Sequence, residues 1–269
     1  MNPKNYIGVT GLVSKEEVSY ICKSFEDFGL YDNPFHKPMI GILASYKTLN
    51  NIEVENRRYP KLDALSELIN EMKSGTFKTI HYNTREFNSL FEQISKLISI
   101  PYYRNSLDGL QLNMTYPPIG QVEKIKEKFP KLDVIFQANS GVLNSGSKKE
   151  IAKSIKNYEN LIDYVLIDAS GGRGKNLNIL YSAELANEIK NLNPNINIGF
   201  AGGFDRCNVY RNCEELILLY GGFNLSIDAE GGLRDKLSNK YGDDLLNINK
   251  VRDYIQSASS IFSIINRVR

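Results

Sequence analysis

Residues 196–205 read Ile196-Asn197-Ile198-Gly199-Phe200-Ala201-Gly202-Gly203-Phe204-Asp205, a short apolar run that stops at two glycines and an acid. Its neighbours repeat that punctuation. Upstream, Tyr164 to Asp168 runs into Ala169-Ser170-Gly171-Gly172-Arg173-Gly174-Lys175. Downstream, a run ending at Asp228 continues as Ala229-Glu230-Gly231-Gly232-Leu233-Arg234-Asp235. Three successive β-rich runs that end in glycine pairs place bare backbone amides at one end of three neighbouring strands.

Outward from this stretch the alternation extends over the whole chain. Further runs lie at Tyr6 to Thr10, Met39 to Ala44, Thr76 to Tyr82, Leu107 to Leu112 and Leu132 to Ala138, and the eighth spans Phe223 to Asp228. Between them come segments of helical period, such as Ile151, Ile155, Tyr158 and Leu161 beside a lysine-rich face, and a last one over roughly Ile248 to Ile265. About eight strand-helix units close into a (β/α)8 TIM barrel, whereas an open doubly wound sheet shows the same alternation. The loops favour the barrel: Thr48 to Tyr59 and Asp235 to Asp244 leave carboxyl ends of strands, where barrel sites are built, and Tyr31 to Lys37 precedes the second run. Residues 1–269 are read as one barrel domain.

Composition narrows the function classes. With 33 Lys+Arg against 31 Asp+Glu, no overall field draws the chain to nucleic acid or anionic lipid. No apolar run of about 18 residues suggests a membrane span. Cys22, Cys207 and Cys213 form neither a disulfide framework nor a metal pair, which suits a reducing compartment. Met1 to Tyr6 lacks a basic lead into an apolar stretch, so a cytoplasmic location is expected. No metal or cofactor is called for.

Glycines at strand ends mark tight turns, and they also let amides approach an anion. Three consecutive pairs favour a phosphate site formed by Gly172, Gly202, Gly203, Gly231 and Gly232. Glu230 beside a phosphate dianion must face away or be offset by Arg234 or Arg173.

Along most of its length the chain resembles phosphoribosylanthranilate isomerase. Ile7-Gly8-Val9-Thr10-Gly11-Leu12 is similar to that family's Lys-Ile-Cys-Gly opening, Arg57-Arg58-Tyr59-Pro60 to its substrate-gripping segment, and Leu107 to Asn113 to its fourth-strand motif. Leu166-Ile167-Asp168 with its glycine tail, and Ala201-Gly202-Gly203 followed by Asn208-Val209, are the most specific matches. The resemblance implies an Amadori rearrangement of a phosphorylated sugar amine, with Asp168 as the acid and Arg58 gripping a substrate carboxylate. It departs at Thr10, which stands where the family has its cysteine base, at Asn113 in place of a histidine, and at Glu230-Gly231-Gly232 in place of Ser-Ser-Gly.

A second, weaker reading makes Asp168 a cap of the following turn. His81, alternating with Thr79 and Asn83, reaches the barrel mouth if that face points inward; otherwise it is a hydrogen-bonded structural histidine. Lys47 near the second strand's end is a Schiff-base candidate or a solvated lysine. Gln137, with Asn139, offers neutral hydrogen bonds to a substrate or fills a polar layer. The expected partner is a small phosphorylated substrate, with a homodimer allowed. Other readings are an aldolase, lyase or epimerase using Lys47 or His81, and a non-catalytic phosphometabolite-binding protein.

Overall fold

The computed structural model describes residues 5–99, 107–168, 170, 177–222 and 224–266. Eight parallel strands, Asn5–Thr10 (β1), His36–Ser45 (β2), Phe77–Asn83 (β3), Gly109–Leu112 (β4), Asp133–Ala138 (β5), Tyr164–Asp168 (β6), Asn197–Ala201 (β7) and Leu225–Ala229 (β8), form a closed barrel. Closure is made by β1 on β8, where Gly8 pairs in register with Asp228. The chain is therefore a (β/α)8 barrel, and the open sheet is set aside.

Strand alternation divides the buried apolar residues into two bodies. Ile7, Val9, Ile40, Ile42, Val134, Phe136, Val165 and Ile167 face outward into the main core under the helices. Tyr6, Met39, Phe77, Ile135, Tyr164 and Leu166 face inward as a separate cluster. The rings of Tyr6, Phe77 and Tyr164 meet with centroids 5.6 to 5.9 Å apart, so aromatic side chains plug the amino-terminal half of the barrel. Above this plug the inward positions turn polar: Thr10, His81, Gln111, Gln137, Asp168 and Asp228.

The helices form where the sequence period predicts, with local signals setting their ends. Lys148–Lys156 starts at a capping box between Ser147 and Glu150 and buries Ile151, Ala152 and Ile155. It stops before Tyr158, which remains buried and donates to the Pro117 carbonyl at 2.7 Å. The last helix, Ile248–Asn266, buries Val251, Ile255, Ala258 and Phe262. Among the described residues no helix is long and apolar enough to cross a membrane.

Two stretches expected as plain loops carry more structure. His36 and Lys37 belong to β2, and Lys37 Nζ lies 3.7 Å from the centroid of the Phe77 ring at the barrel floor. After β8, Arg234–Lys236 (β9) and Asp244–Leu246 (β10) pair as an antiparallel hairpin.

His36 fastens the floor. Its Nε2 lies 3.0 Å from the Leu225 carbonyl of β8 and its ring stacks on Phe262 at 4.0 Å. Burial pushes its pKa down to about 4. A folded value below the unfolded value of about 6.5 means that the unfolded chain binds the extra proton first. The stability His36 confers is thus complete above about pH 6.5 and lost as pH falls toward 4. Denaturant titrations at pH 7.5 and pH 5 should show a loss that is smaller in His36→Leu by about 2 kcal/mol. Equal losses in both proteins would exclude this role.

Candidate active site at the carboxyl end of the barrel

The polar layer opens into a small solvent-connected pocket walled by His81, Gln111, Asn113, Gln137, Asp168, Ser170, Asp228 and Glu230 together with Gly202, Gly203 and Gly231. Tyr59 and Tyr241 stand at its mouth. Asp168 and Asp228 occupy one level, because Ala201 pairs in register with both. Two strand spacings put their α-carbons roughly 10 Å apart, and the small Ala201 side chain leaves the space between them open.

Their surroundings differ. Asp168 accepts hydrogen bonds from Gln137 Nε2 at 2.6 Å and from both the amide and the hydroxyl of Ser170 at 2.8 Å. Gln137 in turn accepts from Gln111 at 3.1 Å, whose own side-chain oxygen is buried without a partner. Asp228 faces Thr10, whose hydroxyl lies 2.9 and 3.0 Å from its two oxygens. Burial pushes the Asp228 carboxyl well above the usual range; the Thr10 hydrogen bond acts against this, and the charges of Glu230 and Asp168 add to it.

His81 projects inward, as its alternation with Thr79 predicts, and its Nε2 lies 3.2 Å from the Thr79 hydroxyl. Burial pushes it down to about 3, so it is a neutral hydrogen-bonding group near pH 7. Gly41 makes room for it: a Cβ there would fall 2.5 Å from both His81 Nε2 and Thr10 Oγ1.

The structure revises several sequence expectations. Thr10 is fully buried behind Asp228 and does not line the cavity. Arg58, expected to grip a substrate carboxylate, is buried in a charge cluster. It donates to Asp244 at 3.0 and 2.5 Å and to Glu230 at 2.6 Å, because its segment packs against the β9–β10 hairpin. Arg234 joins through Asp244 at 2.5 Å and also donates to the Gly11 carbonyl at 3.1 Å. Glu230, expected to face away or to be offset by Arg234 or Arg173, pairs with Arg58, and the Arg234 charge also acts on it. Lys47 sits exposed in the short helix Tyr46–Leu49, outside the cavity wall. Asn139 caps Ser140–Leu143 instead of facing a ligand. Cys22 and Cys213 are buried in helices, Cys207 is exposed, and all three are free.

Among the glycines, Gly202 and Gly203 have φ of 117° and 66° and line the cavity with Gly231. Among the described residues the amides of these three find no acceptor within the chain. Gly232 serves a different purpose, since a Cβ there would lie 2.2 Å from the Phe204 carbonyl oxygen, and its bareness lets the turns after β7 and β8 touch. The amides of Cys207 and Asn208, ahead of the helix Val209–Tyr220, are taken by Asp205. Gly172, with Arg173 and Lys175, lies outside the described residues. No group of three or more His, Cys, Asp or Glu among the described residues is placed to hold a metal ion.

Sequence reasoning missed Asp228 and Asp244. The alternation Ser226, Asp228 on β8, continued by Glu230, matches that of Leu166, Asp168 on β6, continued by Ser170, and that parity was a usable signal for Asp228. For Asp244, 186 residues from Arg58, the sequence carries none.

No protein-family profile matches the sequence, and no curated protein is similar to it at a significant level. Solved structures do match. Phosphoribosyl anthranilate isomerase from Thermotoga maritima superimposes with a TM-score of 0.58 at 14% identity, covering 95% of this chain and 99% of that one. The Thermus thermophilus enzyme gives 0.58 at 15%, covering 98% and 100%. A putative spore coat polysaccharide biosynthesis protein E from Chromobacterium violaceum gives 0.59 at 10%, covering 97% of this chain and 75% of that one. This chain therefore shares the barrel fold of the phosphoribosyl anthranilate isomerases, and at such identities the likeness speaks for the fold alone.

Proposed function

We propose that this barrel isomerises a phosphorylated aldosylamine, opening its sugar ring and moving the carbonyl from C1 to C2. The observation that carries the reading is the placement of Asp168 and Asp228 on either side of Ala201, with the unpaired amides of Gly202, Gly203 and Gly231 at the same rim. Ring opening needs a proton donor and C2 deprotonation needs an acceptor; two carboxyl groups in unlike surroundings supply both. Bare amides suit a phosphate dianion, and the charge of Glu230 on the same wall is offset by Arg58. Gln111, Asn113 and Gln137 would bind sugar hydroxyls. An aldolase route through Lys47 loses its support, since that ammonium is solvated and off the cavity wall.

The test has two arms. Phosphoribosylanthranilate is supplied and its fluorescence followed; loss of signal is expected. In parallel, inorganic phosphate, ribose 5-phosphate and reduced 1-(o-carboxyphenylamino)-1-deoxyribulose 5-phosphate, which a neighbouring isomerase structure holds, are tested by thermal shift. A ligand at 100 times its Kd should add about 2.7 kcal/mol. Stabilisation without turnover would make the protein a phosphometabolite-binding barrel. If nothing stabilises it and nothing is consumed, the reading fails.

A further inference from the structure

We propose that Asp228 is the second acid-base residue of this site: it delivers the proton that opens the sugar ring, and Asp168 is the group that removes the proton from C2. This rests on the isomerase reading above and reverses the role that the family resemblance implies for Asp168. The geometry separates the two carboxyls. Asp168 accepts from three donors, Gln137 Nε2 and the amide and hydroxyl of Ser170, which favour the ionised form that receives a proton, whereas a single side-chain hydroxyl, that of Thr10, spans both oxygens of Asp228. Asp228 is 5% exposed, borders the cavity, and is held from behind by Thr10 at 2.9 and 3.0 Å.

The hydrogen bonds from Thr10 and the Ala229 amide favour the ionised form of Asp228, while burial and the charged groups facing it disfavour a second negative charge there. Asp168 lies across Ala201 on β6, and Glu230 follows on β8. Tyr6 of β1 and Tyr254 of the last helix, whose hydroxyl donates to the Gly8 carbonyl at 3.1 Å, are the nearby phenols. Arg58 and Arg234 pair with Glu230 and Asp244 instead. Burial, with the charges of Glu230 and Asp168 adding to it, raises the proton affinity of the Asp228 carboxyl, the direction a proton donor needs.

Protons and electron pairs balance in this scheme. Asp228 gives its proton to the ring oxygen as the C1–O bond breaks, and the nitrogen lone pair forms the C1=N bond. Asp168 takes the C2 proton, and the released pair forms C1=C2 while the C=N pair returns to nitrogen. The C2 hydroxyl then returns a proton to Asp228 as the ketone forms, and Asp168 returns its proton to C1. No oxidant or reductant is needed. Thr10 is a positioning residue, orienting the Asp228 carboxyl without touching substrate.

The decisive measurement is an infrared difference spectrum of the full-length protein at pH 7. The carbonyl stretch of a protonated carboxyl is expected in the wild type and in Asp168→Asn and should vanish in Asp228→Asn. Its absence from the wild type, or its survival in Asp228→Asn, overturns the inference whether or not a substrate is turned over. On any aldosylamine phosphate that is consumed, Asp228→Asn and Asp168→Asn should each lower kcat by about 10²-fold or more with KM little changed. Thr10→Val should move the alkaline limb of the kcat/KM profile upward and leave the acidic limb in place, because it removes a hydrogen bond that favours the ionised form. An Asp228→Asn enzyme of normal kcat would also overturn it. If the band behaves as expected but no aldosylamine is consumed, the proton assignment stands and the isomerase reading falls.

Discussion

Asp244→Ala is expected to cost about 3–5 kcal/mol of stability, seen as a fall in Tm of roughly 10 °C. In the folded protein one buried carboxylate serves two buried guanidiniums: Arg58, Arg234 and Asp244 are 3%, 5% and 4% exposed. Removing the carboxylate leaves two like charges side by side out of water, while Glu230 still pairs with Arg58. Arg58→Lys tests the geometry separately, since an ammonium cannot reproduce the paired donation to both Asp244 oxygens. Unfolding by urea with fluorescence detection would measure both. An Asp244→Ala protein within about 1 kcal/mol of wild type would mean that water reaches the cluster.

Gly232→Ala should cost about 1–3 kcal/mol and, more tellingly, weaken phosphate binding roughly tenfold. The clashing atom is the Phe204 main-chain oxygen, 2.2 Å from the new Cβ, and a backbone carbonyl cannot rotate aside as a side chain can. The turns after β7 and β8 must separate, which moves Gly202 and Gly203 away from Gly231 in the cavity wall. Gly222→Ala, whose Cβ would meet nothing nearer than 3.7 Å, is the control and should lie within about 0.5 kcal/mol of wild type. Calorimetric titration with inorganic phosphate compares the three proteins; equal affinities in all of them would remove the oxyanion site from these turns.

The strands were legible where neighbours alternate sharply in polarity. Tyr164–Asp168 has the ends its sequence predicts, because Asp163 and the glycine tail bracket an apolar run. β2 extends further back than expected, to His36, since His36, Lys37 and Pro38 look like loop residues until the barrel floor gives the imidazole and the ammonium aromatic neighbours. β4 begins at Gly109, after Leu107 and Asp108. At the site, alternation put His81 and Gln137 on faces that could point inward, and the family resemblance, not alternation, singled out Asp168. Arg58 did not: a guanidinium four residues after Val54 reads as a ligand for whatever anion is in mind, and only the fold brings Asp244 to it. Thr10 looked like a weak substitute for a cysteine because its partner lies 218 residues away on β8.

The charge cluster has a consequence for traffic through the mouth. The segment before Tyr59 and the β9–β10 hairpin are bolted together by Arg58 and Asp244, and again by Arg57 with Asp243 and Lys240 with Glu55. Swinging either aside would strand ions in a dry place, so this arc of the rim works as a fixed jamb. Entry and departure of small molecules then fall to other parts of the rim, and changes in the turns after β3, β4 and β5 should alter the pace of exchange without loosening the barrel.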